Sequence, residues 1–359
     1  MTLSEWGWNA HFASHFDALS LPDTRPARVV HQARTRFLVH GADGDQPAVL
    51  RGRILADPHA DRPAVGDWVA VEGTGDVAVV QAILPRQSAF SRKVPGETTR
   101  EQVVAANLDT VFIAAGLDGD FNLRRIERYV SQAWSSGSTP VLLLNKADVC
   151  DDVEGRRVAA EFAAPGVDVH VLAARAGEGL DALATYLTTG KTVALVGSSG
   201  VGKSTIVNRL LGHERMKTSG VREDDSRGRH TTTHRELVLL PSGGLLIDTP
   251  GMREMQLWDA GGGLAAGFSD LEALAQNCRF RDCAHIQEPG CAVRAAVDAG
   301  TFDAARYASY LKLRKETEYL EARLEDAGRQ LEKRRGKEMN QRIREINQFH
   351  PKRQGRNRP

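Results

Sequence analysis

Long apolar runs are missing from this chain of 359 residues. None reaches the ~18 residues that a membrane-crossing helix requires, which speaks against a membrane-spanning protein. The opening run Met1-Thr2-Leu3-Ser4-Glu5-Trp6 lacks the basic and apolar regions of a signal peptide, so a cytoplasmic location is expected. Aromatic residues are scarce, at 6%, and there are only four cysteines. Four cysteines in a cytoplasmic chain of this size do not make a disulfide framework. Net charge is nearly absent as well, at +1, although it is unevenly distributed. What remains, 41% apolar and 26% charged residues, is the balance of a globular protein. The length exceeds the ~150 residues of one typical domain and predicts two or three.

Texture divides the chain. Residues 1–26 are mixed and read as an N-terminal tail. Between 27 and 93, short β-rich runs alternate with Gly, Pro and Asp turns: Arg28–Val30, Arg36–Val39, Val49–Leu55, Asp67–Val71 and Val77–Ile83. Five strands at this spacing predict a small closed barrel, most economically an OB-fold. Such a barrel either packs against its neighbour or presents a face to nucleic acid. Residues 94–106 read as a linker, the polar part being Ser91 to Arg100.

From 107 to 260, strands and helices alternate, beginning with the apolar strand Thr110–Ala115. Strands follow at Val141–Leu144, Val167–Leu172, Thr192–Val196, Leu237–Leu240 and Gly244–Ile247. Helices are predicted after Leu123, at Val153–Phe162, at Leu180–Leu187 and at Lys203–Leu211. This pattern predicts a doubly wound α/β sheet with one antiparallel edge. Residues 261–359 lose the alternation and read as a mostly helical, metal-binding module with a basic tail.

Five loops of the α/β segment carry chemistry. Gly197-Ser198-Ser199-Gly200-Val201-Gly202-Lys203-Ser204, followed by Thr205, fits G-x-x-x-x-G-K-S/T between an apolar strand and a helix. In that setting backbone N–H groups and the helix N-terminus face phosphate oxygens. Lys203 is expected on the β- and γ-phosphates, and Ser204 on magnesium. Asn145-Lys146-Ala147-Asp148 ends another buried strand. Asp148 can accept both the ring N–H and the amino group of guanine, a pair adenine lacks. Asn145 would orient that loop, and the stem of Lys146 can cover the base. The two motifs together predict GTP as substrate.

Asp248-Thr249-Pro250-Gly251 is a second-switch pattern, with Asp248 expected to act on magnesium and the amide of Gly251 on the γ-phosphate. Gly228-Arg229-His230-Thr231-Thr232-Thr233 reads as the first switch. Either Thr232 or Thr233 is the expected switch ligand to magnesium. Ala173-Ala174-Arg175 occupies the place of a loop that backs the guanine. After Gly251 stands Met252, where many GTPases have glutamine. A thioether does not align water, so slow intrinsic hydrolysis is expected, with His230, Arg229 or a partner's group completing the site.

Cys278-x4-Cys283-x-His285-x5-Cys291 supplies three thiolates and an imidazole. Four such ligands make a closed, structural tetrahedral zinc site. Cys150 reads as an unliganded small residue. From Glu332 onward, ten basic residues, Lys333, Arg334, Arg335, Lys337, Arg342, Arg344, Lys352, Arg353, Arg356 and Arg358, face only Glu332, Glu338 and Glu345. That run is a solvated helical face or a phosphate-contacting tail.

The motif order is base-reading loop, backing loop, phosphate loop, first switch, second switch. It is a circular permutation of the usual order, with a barrel before it and a Cys3His cluster after it. This arrangement resembles the RsgA family of ribosome small subunit-dependent GTPases, also called YjeQ or YloQ. The likeness extends over Leu3-Ser4-Glu5-Trp6-Gly7-Trp8-Asn9, Gln102–Asp109 and Gly228–Thr232. It implies a GTP hydrolase that acts late in maturation of the small ribosomal subunit, binds its rRNA, is stimulated by it, and uses Mg2+ and one structural Zn2+. A monomer without membrane contact is expected. A membrane or metal-transport GTPase and a non-enzymatic RNA-binding protein are the rival readings. The first lacks a membrane segment or lipidation signal; the second leaves Lys203, Asp148 and Asp248 unexplained.

Overall fold

Alternation of small and β-branched residues sets the first unit. In the computed structural model, which describes residues 2–33, 36–52, 54, 61–73, 75–93, 101–213, 235–248, 262–315, 317, 318 and 322, the chain opens with a 3-10 turn, Leu3–Trp6. Helix α1, Ala10–Leu19, follows and is capped by Asn9. Five strands come next: β1 (Thr24–Ala33), β2 (Arg36–Gly41), β3 (Gly44–Leu50), β4 (Trp68–Glu72) and β5 (Ala78–Ile83). β1 pairs antiparallel with both β2 and β4. β2 pairs with β3, β3 runs parallel to β5, and β5 returns to β4, so the ring closes. Every second residue faces inward: Ala27 and Val29, Phe37 and Val39, Val69 and Val71, Ala78 and Val80 form its core. This is the five-stranded barrel expected from the sequence.

Its third strand differs from the expectation at Val49–Leu55, beginning at Gly44 and ending at Leu50. Pro47 obscured it. β5 pairs only with Ala48–Leu50, so Pro47 has a single neighbour, Leu38 of β2, and its missing N–H is tolerated. The linker reading also meets structure: β6 (Ala89–Lys93) and β7 (Glu101–Ala106) form an antiparallel hairpin. Phe90, Val104 and Ala105 drive it by burying themselves in the main core.

The α/β unit consists of β8 (Thr110–Gly116), α2 (Leu123–Ser135), β9 (Thr139–Asn145), α3 (Val153–Ala163), β10 (Asp168–Val171), β11 (Thr192–Val196), α4 (Lys203–Leu211), β12 (Arg235–Leu239) and β13 (Leu245–Asp248). The helix predicted at Leu180–Leu187 is a 3-10 helix, Leu180–Tyr186. The strand order is β10-β9-β8-β11-β13-β12, all parallel except β12. β8 and β11 are buried along their whole length, as strands covered on both faces must be. β12 is antiparallel as expected, yet it is no edge. Its far side pairs with β1, His31 opposite Glu236, so barrel and α/β unit share one continuous sheet.

Beyond them, α5 (Gly262–Gly267), α6 (Ser269–Ala275), α7 (Ala292–Asp298) and a helical run at 304–315 enclose a small core around Phe268, Leu271 and Tyr310. Arg306, 1% exposed, fastens this module to the α/β unit. It donates to both oxygens of Asp270 at 2.8 and 2.9 Å, to Glu127 of α2 at 3.4 Å and to the carbonyl of Ala163 at 2.8 Å. Its guanidinium also lies 4.5 Å from the Phe268 ring centroid. No helix among the described residues is long and apolar enough to cross a membrane.

Candidate nucleotide and metal sites

Strand register brings the separated motifs to one end of the sheet. Gly116 lies opposite Asn145, and Ile113 opposite Val196, so the loops after β8, β9 and β11 emerge side by side. That carboxyl end is where open α/β sheets bind ligands. Close approach demands glycine: a Cβ on Gly197 would sit 2.3 Å from the carbonyl oxygen of Ala114, and one on Gly202 2.3 Å from Asn145 Nδ2. Both have positive φ, at 142° and 97°. Helix α4 then begins at Lys203 with no side-chain cap, which leaves its first N–H groups for an anion. The Lys203 ammonium is buried over the loop, donating to the carbonyl of Gly197 at 2.7 Å and to that of Ser198. Ser199 and Gly200 are exposed at the loop tip, whereas Ser204 and Thr205 are half-buried in the first helical turn and Val201 is buried.

Asn145 joins three loops. Its Nδ2 donates to the carbonyl of Val201 at 2.8 Å, while its Oδ1 accepts from the backbone N–H of Ala174 at 3.0 Å. At 3% exposure this amide ties the base-reading loop to both the phosphate loop and the backing loop. Lys146 has a left-handed backbone, φ 69°, and its Nζ lies 2.6 Å from Asp118. Burial pushes the Asp118 carboxyl up, but hydrogen bonds from Lys146 and from the backbone of Asp120 outweigh it and hold the group below its ordinary value. Asp148 stands exposed on the turn Ala147–Val149. Ala173 and Ala174 are buried, and Arg209 of α4 donates to the carbonyl of Ala174 at 3.2 Å and to that of Arg175 at 2.5 Å.

Asp248 ends β13, two strands from β8, opposite Glu236. Arg229, His230, Thr232, Thr233, Gly251 and Met252 lie outside the described residues, as does the tail beyond 322. Sequence reasoning missed Asp118, Asp120 and Arg209. The first two stand in Asp118-Gly119-Asp120 immediately after β8, a position that could have signalled them. Asp120 accepts from the Ser198 hydroxyl and pairs with Arg125 at 2.6 Å.

The four predicted metal ligands come together. One donor atom from each of Cys278, Cys283, His285 and Cys291 lies within 4.8 Å of the others. His285 Nδ1 is 3.6 Å from the sulfur of Cys278 and 3.5 Å from that of Cys291, and those sulfurs are 4.0 Å apart. A tetrahedron with ~2.3 Å zinc–sulfur and ~2.0 Å zinc–nitrogen bonds has edges of about 3.5 Å (N to S) and about 3.8 Å (S to S). The donor set therefore fits zinc. Glu288 braces the loop by accepting from the backbone N–H groups of Ala284, Ile286 and Gln287 at 2.9–3.0 Å; its own backbone N–H together with these three draws its carboxyl down to about 2.

Comparison with known proteins agrees with this geometry. The sequence model of the family described as RsgA GTPase matches residues 83–258. A protein of Opitutus terrae called small ribosomal subunit biogenesis GTPase RsgA is 46% identical over 354 residues, covering 95% of this chain and 96% of the relative. The chain belongs to the RsgA GTPase family. A relative of the same name from Xanthomonas euvesicatoria is 50% identical over 319 residues, covering 87% of this chain and 84% of its own length. Among solved structures, YjeQ from Thermotoga maritima matches 82% of this chain and 98% of its own, with a TM-score of 0.61 and 25% identity. YloQ, described as a circularly permuted GTPase, matches with a TM-score of 0.58 over 82% of this chain and 95% of its own, at 21% identity. The permuted fold read from motif order is thereby shown, and RsgA membership makes the chain a GTP hydrolase that uses GTP and Mg2+.

Proposed function

We propose that this chain acts in late maturation of the small ribosomal subunit, binding it through rRNA, with hydrolysis stimulated by the subunit and coupled to release. The observation that carries the reading is the convergence of Asn145, the phosphate loop and the backing loop on one end of a permuted sheet, in a chain similar along 95% of its length to a protein named for that role.

In this site Asp148 accepts the two guanine donors, Asn145 holds the loop and the Lys146 stem covers the base, steadied by Asp118. Ala173 and Ala174 back the guanine with their main chain. Gly197 to Ser204 surround the phosphates, with Thr205 in the next position, and Lys203 moves its ammonium from the loop carbonyls to the β- and γ-phosphates. Ser204, Asp248 and Thr232 or Thr233 would hold magnesium, which would supply positive charge to the phosphoryl oxygens. Gly251 contacts the γ-phosphate through its amide. With Met252 at the usual glutamine position, the attacking water is aligned by His230, Arg229 or the partner. Cys278, Cys283, His285 and Cys291 would hold a structural zinc ion, whose ligation would add stability to a module with a small core. The barrel and the basic tail supply shape and phosphate contacts to RNA. The protein works as a cytoplasmic monomer.

Turnover measured with and without isolated small subunits tests this reading. Marked stimulation is expected, and an equal rate in both conditions refutes it. Loss of turnover in Lys203→Ala with subunit binding retained separates catalysis from attachment.

A further inference from the structure

The phosphate loop is held on both of its limbs. On the far limb the Asn145 amide donates to the carbonyl of Val201 at 2.8 Å. On the near limb the loop rests against the end of β8 in two ways. Gly197 packs against the carbonyl of Ala114 with no room for a Cβ, and the Ser198 hydroxyl donates to Asp120. Between the limbs, Ser199 and Gly200 are exposed.

Asp120 uses its two oxygens separately. Oδ1 pairs with Arg125 of α2 at 2.6 Å, and Oδ2 accepts from the Ser198 hydroxyl. Arg125 thereby offsets a negative charge that would otherwise stand beside a loop built for phosphate. The carboxylate is itself held in place: its own backbone N–H donates to Asp118 Oδ1 at 3.0 Å, and Asn122 caps α2 by accepting from the N–H of Arg125 at 3.1 Å. The side chains of Asp120 and Arg125 are 32% and 38% exposed, so their ion pair contributes little to stability. The crevice between Asp120, Arg125 and Ser198, lined below by Ile113, Ile126 and Tyr129, measures about 10 Å³, the least that holds one water. No ligand fits there, and the three side chains act on one another.

The segment between β8 and α2 therefore serves both ends of the nucleotide. Asp118 anchors Lys146 of the base-reading loop, and Asp120 anchors the phosphate loop.

We propose that Asp120 is a positioning residue for GTP hydrolysis: through the Ser198 hydroxyl it fixes the near limb of the loop, and with it the exposed tip, against the terminal phosphate. The Ser198 carbonyl accepts from Lys203 in this structure. When Lys203 turns from that carbonyl to the phosphates, Asp120 keeps hold of the same residue. This rests on the assignment of Gly197–Ser204 to the phosphates. GDP is gripped mainly by Asp148 and the start of α4, so a displaced tip affects turnover more than affinity.

Single-turnover GTP hydrolysis by the full chain without ribosomal subunits, with GDP affinity measured in parallel, tests this. Ser198→Ala and Asp120→Ala are each expected to lower the maximal rate about tenfold, the lower end for a hydrogen bond to a charged group, and to change GDP affinity less than about threefold. Because the two side chains act as one pair, the double variant is expected to stay near a tenfold loss, whereas independent effects would multiply to about a hundredfold. Asp120→Asn still offers an oxygen to Ser198 and is expected to recover most of the rate lost in Asp120→Ala. Melting curves confirm that the variants fold. Unchanged rates in both alanine variants overturn the proposal, as do multiplicative losses, or a fall in GDP affinity equal to the fall in rate. Turnover that survives Lys203→Ala overturns the phosphate-loop assignment and the proposal together; turnover lost in Lys203→Ala but untouched in the alanine variants overturns the proposal alone.

Discussion

Arg306 offers the most direct test of how the C-terminal module is held. Arg306→Met keeps most of the volume and the contact with Phe268 but removes the charge from the junction. Glu127, 3% exposed, then loses one cation, although Arg124 remains 3.2 Å away. Asp270 loses a bidentate partner, yet its carboxyl is about a third exposed and can be solvated. Breaking a buried pair typically costs about 3–5 kcal/mol, and these two compensations place the expected loss near the lower bound. About 3 kcal/mol is roughly a 150-fold rise in the population with the module undocked. Hydrogen exchange followed by mass spectrometry reads that population directly, because undocking exposes amides of α2, α5 and α6 while those of β8 and β11 stay protected. Adding Glu127→Gln removes the stranded carboxylate, so the double variant is expected to be less open than Arg306→Met alone. Unchanged exchange in α2 on Arg306→Met refutes the reasoning.

Other variants probe the sites. Asn145→Ala leaves the carbonyl of Val201 and the N–H of Ala174 unpaired, at about 1–3 kcal/mol each, so GDP release measured by stopped-flow fluorescence is expected to accelerate at least about tenfold. Asp118→Asn removes the anchor of Lys146, which is worth about 0.2–1 kcal/mol for a partly exposed pair. Because the folded-state carboxyl is held below 3.8, that contribution is present above this value and is lost as pH falls through the depressed one. Urea titrations should therefore show a constant gap between wild type and variant near neutrality that closes only below pH 3.8. Glu288→Ala releases three backbone N–H groups of the metal loop, so a chelator with a colorimetric zinc indicator is expected to strip metal faster than from wild type, with GDP affinity unchanged.

Local pattern made some of this legible and long-range pairing did not. Val69 and Val71 or Ala78 and Val80 announce a barrel strand because alternation is written into neighbouring residues. Gly44–Leu50 hides one, because Pro47 is acceptable only beside a particular gap in the pairing. The phosphate loop, Asn145-Lys146-Ala147-Asp148 and the Cys278–Cys291 spacing were readable because each packs its chemistry into a few residues. The docking of the C-terminal module was not. The described contacts place it on α2, through the packing of α5 and through Arg306. Arg28 likewise looks like any strand residue until Gly66, Trp6 and Asn107 surround it. Asn145 was expected to orient its own loop, and its reach to Val201 and Ala174 depends on three strands whose adjacency the sequence does not display.

The pairing of β1 with β12 has a further consequence. An exposed sheet edge invites a partner's strand, and many complexes form by extending a sheet in that way. On the β12 side this protein has filled the position with its own barrel, so no foreign strand can add there without first displacing β1. Recognition on that flank must pass through loops and side chains, and the barrel is hydrogen-bonded directly to β12 of the α/β unit.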